Sequence, residues 1–177
     1  MARARQRFLG CSESGAELDV VSFEAAQATR LGRDPRYDGG ALMPEVLRNV
    51  HFIVAVDPIA RIVRVTRTAA PFDSLEQIEQ RCLEIIAALA PVDRSAMSLL
   101  LDIRAAPGRN DPQFEEATLR LRTAAVRGFG CVAVLVATSA GALQVRRHSR
   151  EDGVERIISD SEDELLAYIA NAPPRYR

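Results

Sequence analysis

Two short, almost wholly apolar runs constrain this chain most: Met97-Ser-Leu-Leu-Leu-Asp102 and Cys131-Val-Ala-Val-Leu-Val136. Neither shows the apolar/polar alternation of a strand with one wet face. Both have the pattern of a strand buried on two faces, which needs a layer of structure on each side. The sequence between them supplies one such layer. Asp111-Pro112 opens a helix, with Asp as N-cap, Pro at the first helical position and Glu115 and Glu116 in the first turn. Phe114, Ala117, Leu121 and Ala125 form its apolar side, and Gly128 stops it.

The flanking segments repeat the alternation. His51-Phe-Ile-Val-Ala-Val56 and Arg61-Ile-Val-Arg-Val-Thr-Arg67 read as strands joined by the turn starter Asp57-Pro58, a hairpin. Ser74-Leu-Glu-Gln77 matches a capping box, and Leu75, Ile78, Cys82, Ile85, Ile86 and Leu89 follow at helical spacing until Pro91. Thr138-Ser139 caps a third helix that runs to about Arg150, with Gly153 beyond it. Val154 to Ile158 is a short strand. Ser161 and Glu164 form a second capping box, opening a last helix before Pro173-Pro174. The expected fold class is therefore α/β: a mixed, largely parallel sheet with an N-terminal β-hairpin and covering helices.

Residues 1–48 read differently, with Gly, Ser, Arg and Pro in short clusters and the loop signal Asp34-Pro35-Arg36-Tyr37-Asp38-Gly39-Gly40. We expect a flexible or docked N-terminal extension over 1–48, holding at most a short helix from Ser22 to Arg30. An α/β domain over 49–172 and a short tail over 173–177 complete the chain.

The formal net charge of -1 does not point to nucleic acid. All 23 basic residues are arginine. They are spread along the whole chain, which reads as coding bias more than as an anion site. Cys11, Cys82 and Cys131 have no metal or disulfide spacing and fit a reducing, cytoplasmic setting. With only His51 and His148 available, no metal site and no cofactor is expected. No apolar run reaches the roughly 20 residues of a membrane span. Arg3, Arg5 and Arg7 precede no apolar stretch of signal-peptide length.

Three stretches resemble the SpoIIAA-like (STAS) family of anti-sigma-factor antagonists and its related Sec14-like group. Leu99-Leu-Leu-Asp102-Ile-Arg104 is similar to the Asp-ended strand before that family's functional loop. Gly130-Cys-Val-Ala-Val-Leu-Val136 is similar to its next strand. Ile157-Ile-Ser-Asp-Ser-Glu-Asp-Glu-Leu-Leu-Ala167 is similar to its closing strand and acidic-capped helix. The resemblance covers about residues 51–170 and implies a SpoIIAA-like fold with a part in bacterial-type signalling. It also implies that Asn110-Asp111 stands where the antagonists carry Asp and a phosphorylatable Ser. Asp111 cannot accept a phosphoryl group from a Ser kinase, which leaves a fixed carboxylate at that place.

Two surfaces are candidates for function. Asp102, Arg104, Arg109, Asn110 and Asp111 lie in the loop after a parallel strand, where ligands gather in open sheets. The two arginines could hold an anion at the helix start. Alternatively, Asp111 caps that helix and Arg104 pairs with Asp102 or Glu115. Arg146, Arg147, His148 and Arg150 form a basic cluster on a helix, which reads either as a partner surface or as a solvated face. Ser139-Ala-Gly141 lacks a phosphate-loop pattern and reads as a cap. No catalytic residue set stands out. The expectation is a non-enzymatic regulatory or scaffold module that binds a protein partner through the Asp102–Asp111 loop. The alternative is a Sec14-like small-molecule or lipid-binding module, distinguished by a deep apolar cavity between sheet and helices. Homodimerisation stays open.

Overall fold

The computed structural model describes residues 43–109 and 111–172. The first 42 residues, including the Ser22–Arg30 stretch, Asn110 and the tail from Pro173 lie outside the described residues. Six strands and four α-helices follow in the order β1 (Glu45–Arg48), β2 (Phe52–Asp57), β3 (Ile62–Arg67), α1 (Leu75–Ala88), β4 (Ser98–Asp102), α2 (Pro112–Val126), β5 (Cys131–Leu135), α3 (Ser139–Asp152), β6 (Ile157–Ser159) and α4 (Glu162–Asn171).

The strands lie side by side in chain order in one mixed sheet. β2 and β3 form the antiparallel hairpin that the sequence predicts, with Val54 opposite Val65. In its turn, Asp57 Oδ1 accepts hydrogen bonds from the backbone N–H of Ile59 and Ala60, and Arg61 takes the left-handed φ of 58° that closes it. β3, β4, β5 and β6 are parallel neighbours, each joined to the next through a helix.

The sheet also reaches further back than the sequence indicates. β1 pairs antiparallel with β2 along the edge, with a register shift between Glu45 and Leu47. Its residues are mostly exposed, so they lack the alternation that marks a half-buried strand.

Helices leave and rejoin a parallel sheet with one hand, so strands in sequential order put α1, α2 and α3 on the same face. The core on that face joins Val63, Val65, Leu99, Val132 and Val134 to Ile85 of α1, Leu89 just past its end, Val126 of α2 and Val145 of α3. The other face carries Leu100, Ala133 and Leu135, which pack against Leu165 and Ile169 of α4. β4 and β5 are thus buried on both sides, as their unbroken apolar runs require.

The caps form where the sequence places them. Ser74, Asp111, Thr138 and Ser161 each accept a backbone N–H from the first turn of their helix. Gln77 completes its box one residue further out, accepting from the N–H of Asp73. Gly153, at φ 68°, ends α3 in the left-handed conformation that glycine adopts without strain.

Leu100 is 1% exposed and sits between β5 and the α4 layer. Leu100→Ala should lower the unfolding free energy by about 2–5 kcal/mol, the range for truncating a buried leucine. Chemical denaturation measures this. A loss below about 0.5 kcal/mol would remove Leu100 from the core.

Candidate functional site

α2 lies over the middle of the sheet, so its inward residues decide how that face is filled. The sequence places Phe114, Ala117, Leu121 and Ala125 on the apolar side. The structure turns the helix, so that its innermost row runs Phe114, Thr118, Arg122, Val126, with Thr118 and Val126 buried and Ala117 exposed. Two of these four side chains are polar, and they replace the bulk that would reach the strands. A cavity of about 360 Å³ results.

Its floor is Val65 of β3, Leu99 and Leu101 of β4 and Val134 of β5. Ile78, Cys82 and Ile85 of α1, with Leu89 at its C-cap, form one wall. Gln144, Val145 and His148 of α3 form the opposite wall, and Thr118, Arg122 and Ala125 of α2 close it from above. Beyond the carboxyl ends of the parallel strands it is bounded by Pro71, Phe72 and the loop segment from Ala106 to Arg109. This is where small molecules collect in open α/β sheets.

The loop residues singled out from the sequence fall into two groups. Asp102, 6% exposed, is tied to Arg104 through Nε–Oδ1 at 3.0 Å and Nη2–Oδ2 at 2.8 Å. Arg64 reaches the same carboxylate from β3 at 3.0 Å, and Glu162 at the start of α4 accepts from Arg64 at 3.1 Å and Arg104 at 3.3 Å. Burial pushes the Asp102 carboxyl up, but the hydrogen bonds from Arg104 and Arg64 outweigh it and hold the group below its ordinary range. Two guanidinium groups meet two carboxylates here, so the cluster is neutral and internally satisfied. It anchors the loop's first residues on the α4 side of the sheet.

The second group is at the start of α2. Asp111 Oδ1 accepts from Phe114 N–H at 2.9 Å, and its Oδ2 accepts from Arg109 Nε at 2.6 Å. The Arg109 guanidinium lies 4.9 Å from the centre of the Phe114 ring. Asp111 is therefore a helix cap paired to its neighbour. Arg109 lines the cavity while Arg104 does not. Asn110, between Arg109 and Asp111 in the chain, lies outside the described residues.

The basic cluster on α3 is also divided. Arg146 and Arg150 are exposed and make no ion pair among the described residues. Arg147 and His148 turn towards α2, meeting Glu115 at 2.8 Å and 3.0 Å. Arg122 reaches Glu115 at 3.3 Å, and Gln144 donates to it at 3.0 Å. Burial opposes charge on Glu115, but Gln144 and the surrounding cations hold its pKa below the ordinary value.

Glu115, His148 and Glu151 bring ligand atoms within 4.8 Å of one another, close enough to share a metal ion. Arg122 and Arg147 already neutralise both carboxylates, so the charge is balanced from within. No hydroxyl or thiol among the described residues hydrogen-bonds His148, so its pair with Glu115 lacks a nucleophile. Burial pushes the Cys82 thiol up to about 11, which keeps it protonated at neutral pH.

Sequence reasoning misses Thr118, Arg122 and Arg67 as cavity residues. Thr118 and Arg122 stand four apart on one helix face, a polar pair in line with Phe114 and Val126, and that spacing was the available signal. No helix among the described residues is long and apolar enough to cross a membrane. No protein-family model, curated protein or solved structure matches the chain.

His148 gives the site a pH signature. Burial, followed by the charge on Arg122, lowers its pKa against the pull of Glu115. An unfolded chain therefore takes up the proton first as pH falls. The stability contributed by neutral His148 is present above the ordinary imidazole value of about 6.5 and is lost below it. Unfolding free energy should begin to drop on acidification before the carboxylates titrate, and His148→Gln should flatten that limb. An unchanged limb in the variant would contradict the assignment.

Proposed function

We propose that this chain is a non-enzymatic binding module of SpoIIAA-like architecture that holds an apolar small molecule beneath α2, as the Sec14-like alternative implies. The observation that carries the reading is the cavity itself. Its lining is mostly apolar and it is partly open to solvent, so an apolar molecule can enter it and take that surface out of water.

The segment from Ala106 to Arg109 bounds the cavity and belongs to the loop we expect to meet a protein partner. Within this proposal the two functions join: the occupant sets the conformation of the loop, and the loop presents that state to the partner. The Asp102–Arg104–Arg64–Glu162 cluster holds the loop's base still, so the change is confined to its second half.

Ala125→Phe and Thr118→Leu place side-chain bulk where the cavity now lies. The unmodified chain should enhance the fluorescence of N-phenylnaphthylamine, an uncharged apolar probe. Both variants should keep the circular dichroism of the parent and lose most of that enhancement. No enhancement with the parent, or equal enhancement with both filled variants, would remove the cavity as a binding site.

A further inference from the structure

Five cationic or imidazole side chains line the cavity, and four of them have a carboxylate partner. Arg109 has Asp111, Arg122 has Glu115 and Glu151, His148 has Glu115, and Arg156 has Asp152. Arg67 is the exception: no carboxylate among the described residues pairs with it. It is 7% exposed, at the carboxyl end of β3. Its Nη1 donates to Thr68 O at 2.7 Å and His51 O at 3.3 Å, and its Nη2 donates to Ala70 O. The guanidinium lies 4.3 Å from the centre of the Phe72 ring and 5.4 Å from that of Phe52.

Carbonyl dipoles and aromatic faces offset part of the cost of burying this cation. They leave one whole positive charge against an apolar cavity. No acceptor among the described residues meets Nε, so the guanidinium keeps donor capacity.

We propose that the occupant is an amphiphile with a single carboxylate, whose hydrocarbon body fills the cavity and whose carboxylate meets the Arg67 guanidinium between Phe52 and the α1 entry. The inference rests on the cavity reading above and adds the chemistry of the head. One carboxylate balances one guanidinium. A phosphomonoester brings about −1.5 to −2 charges at neutral pH, more than Arg67 alone can neutralise. Arg67 is then the specificity-determining residue.

The test uses the full 177-residue chain. Isothermal titration at neutral pH compares decanoate, decanol and decyl phosphate. Decanoate should bind at least about tenfold more tightly than decanol, the worth of one charge-assisted hydrogen-bonded contact, and at least as tightly as decyl phosphate. Arg67→Met should bring decanoate down to the level of decanol, and Arg67→Lys should keep part of the preference.

Equal binding of decanoate and decanol by the unmodified chain overturns the anionic head and leaves the cavity reading standing. Binding of none of the three overturns both. A preference for decyl phosphate overturns the monoanion, and a decanoate preference that survives in Arg67→Met overturns the role of Arg67. Should Arg67→Met fail to fold, the unmodified chain still decides the head group, and Arg67→Lys decides the residue: an unchanged ratio between decanoate and decanol there counts against it.

Discussion

Burial of β4 and β5 on both faces is the constraint from which the rest of the structure follows. Their backbone groups are paired in the ladder from β3 to β6, so what remains is to keep two apolar surfaces dry. α4 covers one of them with Leu165 and Ile169. The other is wider and needs α1, α2 and α3. α1 with its C-cap and α3 bring Ile85, Leu89 and Val145 down to the strands. α2 brings Thr118 and Arg122 to the same level, and a helix with short or polar residues there stands off from the sheet.

The polar residues of that seam are consistent with one another. Arg122, Gln144, Arg147 and His148 all converge on Glu115, so α2 and α3 are joined by polar contacts where apolar contact is thin. A network of this kind holds its geometry only while every charge has a partner. The Arg122 Nε is buried with no acceptor among the described residues, and Arg122 is one of the residues that line the cavity. Arg67 completes the picture at the opposite edge, as a cation that the protein surrounds with carbonyls and aromatic rings but not with a carboxylate.

Much of the fold was legible in the sequence because its signals are local. The Ser74, Asp111, Thr138 and Ser161 caps, the turn at Asp57-Pro58 and the unbroken runs of β4 and β5 each state their conformation within a few residues. β1 was not legible, because an exposed edge strand has no buried face to impose a pattern. The rotation of α2 was missed because Ala117 and Leu121 are apolar and Arg122 is not. Composition favours the first pair, whereas Arg122 is held in part by Glu151, 29 positions further along the chain. The two halves of the candidate loop serve different ends: Asp102 and Arg104 close on themselves, while Arg109 borders the cavity. A resemblance built on strand ends and caps has no way to register a cavity, which is a property of what the facing side chains fail to fill.

The central claim is that a small amphiphile occupies the space beneath α2. Methyl-resolved NMR during titration with decanoate tests it most directly, since the methyl groups report each wall separately. The account predicts that shifts concentrate at Ile78, Ile85, Leu99, Val134 and Val145, which line the cavity, and spare Val46 and Ile59, which are exposed elsewhere. Shifts spread evenly over exposed and cavity methyls, or none at the cavity positions at saturating decanoate, would contradict it.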